Sequence, residues 1–313
     1  MKENMTQATE AMNEILGAVV SINAHIPDDA MSAELLGTER NGHGVVIRAD
    51  GLIVTAGYII LDASTVWVGT GADTVVPAYV IANDFESGLG LLKPALPIDL
   101  PAMELDRAAD LSIGEPVFAV GSGGISDTIE AGVVAKREFA GRWEYLLDEA
   151  VYTSPAHTNW AGAALLNGSG RLCGIGSLLV QDPDVTDQEA PVNMFIPIET
   201  LAPFIDELCE YGRRRSPARP WLGMLIHEED EQLLVAGVYR GCPADAAGLL
   251  PGDVIVRVGG RPPHRLGDFL RRVWALGPAG VTVPLTVLRD GELVQAAIKT
   301  ADRNAFIRKD TIN

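Results

Sequence analysis

From residue 44 to residue 200 the sequence is a succession of short apolar runs cut by turns, and that cadence limits the fold more than any other feature. The stretch "GVVIRADGLIVTAGYIIL" sets the type. Val45-Val46-Ile47, an Asp50-Gly51 turn and Leu52-Ile53-Val54 form the pattern of a hairpin. Further runs at 65–68, 75–82, 89–92, 116–120, 131–135, 145–146, 172–180 and 194–196 predict strands. Many short strands at this spacing close into a barrel or pack as a sandwich. The 33 glycines and 19 prolines fit many short elements better than a few long helices.

Helical spacing occurs at the edges of this region. Met5, Ala8, Met12, Ile15, Leu16 and Val19 predict an N-terminal helix over residues 1–22. "IETLAPFIDELCEYGRR" predicts an amphipathic helix that closes a domain spanning 23–212, with Leu201, Phe204, Ile205 and Leu208 on one face. The charged, proline-containing "RRRSPARP" at 213–220 reads as a linker. A second unit follows at 221–302, with a tail at 303–313. Within it, "LGDFLRRVWALG" reads as a helix and "VTVPLTVLRDGELVQAAIKT" as a hairpin turning at Asp290-Gly291.

Charge separates the same two parts. Residues 1–212 hold 9 Lys and Arg against 31 Asp and Glu, whereas residues 213–313 hold 15 against 11. So acidic a first domain argues against nucleic acid as its partner. The loop "QDPDVTDQEAPVN" at 181–193 is strongly acidic and is expected to be a solvated surface loop, with a partner-contact loop as the alternative. No apolar run approaches the roughly 20 residues of a membrane span. The start lacks a basic segment leading into an apolar core, so a cytoplasmic protein is expected unless a leader was removed. Cys173, Cys209 and Cys242 lie far apart without a CxxC pair, which fits reduced structural thiols. No cofactor or metal site is expected.

The second unit carries the more specific motif. "GCPADAAGLLPGDVIVRVGGRPP" at 241–263 resembles the signature of a PDZ domain, and "RPWLGM" at 219–224 resembles the carboxylate-binding loop of such domains. The resemblance implies that Leu222, Gly223 and Met224 present backbone N–H groups to a terminal carboxylate, with Trp221 beside them in the peptide-binding site. The next strand would then offer its edge to a peptide. Phe269, Leu270, Val273 and Trp274 are the candidates for the apolar wall of that groove, although one helix face must also pack inward.

A strand-rich domain followed by a PDZ unit resembles the HtrA/Deg family of trypsin-like serine proteases. The likeness runs over roughly residues 12–302. It implies a mainly β fold, a trypsin-like double six-stranded β-barrel followed by one PDZ domain, itself an α+β, partly open barrel. The family's triad blocks are present, but not its triad. "GLIVTAGYII" has Tyr58 where the family has its base histidine, "GLGLLK" has Gly88 where the orienting aspartate belongs, and "NWAGAALLN" has Ala161 at the serine. Proteolysis of this type needs a nucleophile, a base and a group to orient the base. Asn159, Trp160 and Gly162 would then be a vestigial oxyanion loop. His43, Ser154, His157 and Thr158 lie nearby in sequence, yet none falls at the bend.

These residues lead to the expectation of a catalytically inactive protease homologue that binds protein or peptide as a scaffold, adaptor or complex subunit. The alternatives are an endopeptidase with a rearranged nucleophile, and a structural subunit whose PDZ groove is blocked or filled in cis. Oligomeric state stays open between a homo-oligomer and a hetero-complex. The family's trimers use N-terminal aromatic residues, and residues 1–57 contain none, which argues against a trimer.

Overall fold

The computed structural model describes residues 15–71, 74–181, 190–230 and 232–307. Residues 182–189 of the acidic loop lie outside the described residues, as do residues 1–14 of the expected N-terminal helix. The chain divides into two compact units, residues 1–137 with 149–213 and 309–313, and residues 138–148 with 214–308.

The first unit holds two closed six-stranded barrels. In the first, β1 (Val19–His25), β2 (Glu39–Val46), β3 (Ile53–Ala56), β4 (Thr65–Gly69), β5 (Val75–Asp84) and β6 (Leu89–Pro94) run in the order β1-β2-β3-β6-β5-β4. The Asp50-Gly51 hairpin forms as expected, with Val45 opposite Val54 and Gly51 at φ +83°. Residues 19–22, expected to end a helix, instead begin β1. Its alternating burial follows a period of two, and it closes the barrel by pairing with both β2 and β4. Two single helical turns, α1 (Ala33–Leu36) and α2 (Gly57–Ile60), lie between strands.

The second barrel comprises β7 (Pro116–Val120), β8 (Thr128–Gly141), β9 (Tyr145–Ser154), β10 (Ala164–Leu166), β11 (Leu172–Val180) and β12 (Val192–Pro197), ordered β10-β11-β12-β9-β8-β7. Val117, Ala119, Val133, Val151, Leu165 and Phe195 alternate inward to fill it. The short run at 145–146 proves to be the start of the ten-residue β9, whose "DE" at 148–149 faces out and hides the strand pattern. The closing helix α3 (Ile205–Tyr211) buries Ile205 and Leu208 and ends on Gly212 in the left-handed region.

In the second unit β13 (Met224–Glu229), β14 (Gln232–Val238), β15 (Val254–Val258), β16 (Thr282–Arg289) and β17 (Glu292–Lys299) form one sheet in that order. One turn of helix, α4 (Pro243–Ala246), and the longer α5 (Leu266–Ala275) complete it. Leu222, Met224, Ile255, Phe269 and Val273 pack into its core. That core also takes Leu146, from the tip of the β8–β9 hairpin at 138–148, a segment read from sequence as part of the first domain. The expected tail forms a turn at Arg303–Ala305, and the Phe306 ring lies 5.2 Å from that of Trp221. Burial raises the Cys173 thiol to about 12 and the Cys242 thiol to about 11, which leaves both protonated at neutral pH.

Candidate functional site: a strand elbow and a carboxylate loop

The elbow at Ala161 is built by close backbone approach. Gly162 sits at φ +79°, and a Cβ there would overlap the His43 carbonyl oxygen. The Ala161 carbonyl accepts the His43 N–H at 2.8 Å, so the bend of the second barrel is stitched to β2 of the first. Only glycine tolerates both the backbone angle and the contact.

Tyr58 and Gly88 come together beside it. Tyr58 lies on α2, half-buried, and its hydroxyl donates to the Ser177 carbonyl at 3.0 Å. Burial holds its pKa well above the ordinary tyrosine range, so this phenol is no base. Gly88, at φ +78°, accepts the Gly57 N–H at 2.9 Å from the residue preceding Tyr58. The oxyanion-loop donors are turned inward. Asn159 N–H donates to His157 Nδ1 at 3.0 Å, and Gly162 N–H to the Gly176 carbonyl at 2.8 Å.

One loop away, the fold assembles a polar cluster that sequence order concealed. His43 Nδ1 accepts the backbone N–H of Ser122 at 3.1 Å, and the Ser122 hydroxyl oxygen lies at the same distance from it. His157 Nε2 lies 3.0 Å from the Asp127 carbonyl oxygen and 3.4 Å from its carboxylate, which also accepts from the Asn159 side chain at 3.2 Å. The tautomers follow from the backbone donors: each Nδ1 accepts an N–H, so the proton of each neutral ring sits on Nε2. Burial lowers the His43 pKa, with Asp127 pulling it back up and His157 pushing it down. A neutral imidazole next to a serine hydroxyl is able to take its proton. His43 and His157 were visible in sequence as loop histidines. Ser122 and Asp127 carried no signal, because each sits in an ordinary "GSGGISD" turn. Among the described residues, Ser154 and Thr158 are not bonded to this cluster.

In the second unit the loop read as a carboxylate receptor does hold a carboxylate. Leu222 N–H donates to Glu144 Oε2 at 2.8 Å, and Gly223 and Met224 N–H donate to Oε1 at 2.7 and 3.1 Å. Gly223 is at φ +78°, and an added Cβ would sit 2.5 Å from Cys242 Cβ, so the loop shape requires glycine. Trp221 pairs with Ala301 through backbone bonds at 3.0 and 3.1 Å and is itself buried. Phe269, Leu270 and Val273 are fully buried core residues, and Trp274 packs partly exposed with the Arg219 guanidinium 4.3 Å over its ring. Burial pushes the Glu144 carboxyl up to about 7, against the pull of the three N–H groups and of Arg303.

Comparison with known proteins agrees with both halves. Residues 42–175 match the trypsin-like peptidase domain and residues 220–300 the PDZ domain. A probable periplasmic serine endoprotease DegP-like of Hahella chejuensis is 30% identical over 277 residues, 83% of this chain and 57% of that protein. The periplasmic serine endoprotease DegP of Escherichia coli is 24% identical over 270 residues, 82% of this chain and 56% of that protein. This chain thus spans a little over half the length of those relatives. Among solved structures, the HtrA-type protease AlgW with decapeptide superposes with a TM-score of 0.54 at 22% identity, covering 96% of this chain and 99% of the other. The serine endoprotease from Yersinia pestis gives 0.55 at 23%, covering 94% and 97%. Those two likenesses concern the fold.

Two expectations are corrected by these matches. The chain was expected not to be an enzyme, but the relatives are named serine endoproteases and nothing in the matches shows a loss of activity. The expectation rested on the three positions Tyr58, Gly88 and Ala161, whereas one loop away the fold sets the Ser122 hydroxyl beside His43, with Asp127 as a neighbouring charge. The expectation of a cytoplasmic protein is overturned by the same names, which place the relatives in the periplasm; the pattern of the first residues was no evidence of compartment. The chain is a trypsin-like peptidase domain joined to a PDZ domain, homologous to the DegP/HtrA serine proteases.

Proposed function

We propose that this chain handles polypeptides in the periplasm, gripping an extended chain or chain end along the outer edge of β13 and in the Leu222–Met224 loop. The observation that carries the reading is the convergence of three backbone N–H groups on one carboxylate. Backbone donors fixed by a glycine turn are already oriented and lose little freedom on binding, which favours affinity for a carboxylate. The Trp221 ring lies against Gly223, and Leu222 and Met224 pack in one core with α5. Isothermal titration with a short peptide ending in a free carboxylate, and with its amide, tests this. At least about tenfold weaker binding of the amide is expected, roughly the loss of a charge-assisted hydrogen bond. Equal binding of both removes the loop from the site.

A second reading, hydrolysis of the bound chain, is favoured by the Ser122–His43 pair and by the relatives' names. In it, the Ser122 Oγ–H proton passes to His43 Nδ1 as Oγ bonds the scissile carbonyl carbon. The imidazolium then returns that proton to the leaving amine, with Asp127 as the neighbouring negative charge. Casein turnover and labelling by a fluorophosphonate read it out. Activity abolished by Ser122→Ala and by His43→Gln is expected. Absence of turnover in the unmodified protein, or turnover indifferent to Ser122→Ala, ends this reading.

A further inference from the structure

The carboxylate loop is filled from within its own unit, and Glu144 is not the only contact that does so. The Ile226 N–H on β13 donates to the Arg142 carbonyl at 2.8 Å. As the chain runs forward from Arg142 to Glu144, its partners run back from Ile226 to Met224. The turn at Arg142–Glu144 thus places one main-chain acceptor on the outer edge of β13, the edge an extended peptide would join. Leu146, only 7% exposed, lies in the same apolar cluster as Leu222, Met224, Phe269 and Leu270. A Cβ on Gly267 of α5 would touch Leu146 Cδ1 at 3.4 Å, so the helix wall is closed over it. Carboxylate, main-chain bond and apolar side chain are the three things a peptide brings to such a groove.

The segment is also held at both ends. Arg271 of α5 bonds Glu138 with one guanidinium nitrogen and Asp148 with the other, both at 2.6 Å, clasping the two arms of the hairpin. Arg303 donates to the Trp143 carbonyl at 3.3 Å. Glu144 itself sits at φ +60°, in the left-handed region that a glutamate rarely occupies. The conformation is thus held against local preference by what surrounds it.

We infer that Arg142–Leu146 is a built-in ligand of this groove, and that an incoming chain takes its place by bringing a C-terminal carboxylate with a leucine-like side chain. This rests on the peptide-binding reading above. Withdrawing Glu144 leaves three buried N–H groups without an acceptor, a state that only another carboxylate or water relieves. The built-in ligand therefore selects its own competitor. It also weakens every competitor, because the receptor is vacant only in a fraction of molecules.

The test uses the full chain, a fluorescein-labelled heptapeptide ending in Val-Leu with a free carboxylate, and the same peptide amidated. Glu144→Ala is expected to bind the free-acid peptide at least tenfold more tightly than the unmodified protein, with Glu144→Gln and Arg271→Ala in between. The amide gains nothing. Without peptide, hydrogen exchange at the Leu222, Gly223 and Met224 amides speeds up in Glu144→Ala. Equal free-acid affinity in all four proteins, or unchanged exchange at those amides, overturns the inference. Faster exchange with no peptide bound by any variant upholds the built-in ligand and overturns the peptide-binding reading instead.

Discussion

The Tyr58 hydroxyl reaches the Ser177 carbonyl across 3.0 Å and joins the helical turn after β3 to the second barrel's β11. Tyr58→Phe keeps the ring and removes the donor, leaving a partly buried carbonyl unpaired. A loss of about 1–2 kcal/mol is expected, seen as a lower urea midpoint with an unchanged slope. No change in midpoint removes the bond from the stability of the unit.

The elbow should be far less tolerant. Gly162→Ala must take up a left-handed backbone and push a methyl group into the His43 carbonyl. A cost of about 2–4 kcal/mol follows from strain and overpacking together. Gly168→Ala, in open space in the next turn, serves as the control and should cost well under that. Equal effects at both positions contradict the close approach.

His43 gives the first unit a dependence on acid. Its folded pKa is lowered below the ordinary 6.5, chiefly by burial. The stabilising contribution of the neutral ring is present above pH 6.5 and is lost as pH falls through the folded value. A proton NMR titration should place the His43 midpoint below 6.5, and His43→Gln should flatten the acid limb of stability against pH. A midpoint at or above 6.5 contradicts the burial argument.

Glu144 works in the opposite sense. Its folded value of about 7 lies above the ordinary 4.5, so its contribution to the docked segment is full below pH 4.5 and lost as pH rises through about 7. The groups facing it are Arg303, Tyr239 and Cys242; Arg303 is the cation that pulls its pKa down. A carbon-13 titration of the Glu144 carboxyl should show a midpoint near 7, and docking should weaken by about 3 kcal/mol across the window. A midpoint near 4.5 shows instead that the three N–H groups and Arg303 balance burial.

What the sequence made legible was local. Strands with a period of two, glycine turns such as Asp50-Gly51, and the spaced PDZ signature each depend on residues close along the chain. The features it hid depend on distant ones. β1 reads as helix because Ile15, Leu16 and Val19 fit helical spacing, and only pairing with β2 and β4 decides otherwise. Ser122 and Asp127 gain meaning from His43, 79 residues from Ser122. Glu144 reads as one more solvated acid in a hairpin, until Leu222–Met224, 78 to 80 residues later, folds around it.

Because Glu144 belongs to the same chain as the loop that holds it, its local concentration is fixed by the hairpin and not by the amount of protein present. Diluting the protein does not release it, and no second molecule is needed to supply it. A tethered ligand of this kind acts as though present at about millimolar levels. Only partners that are abundant, clustered or multivalent would then register on the groove. Its threshold is set by geometry, the same in every copy of the molecule.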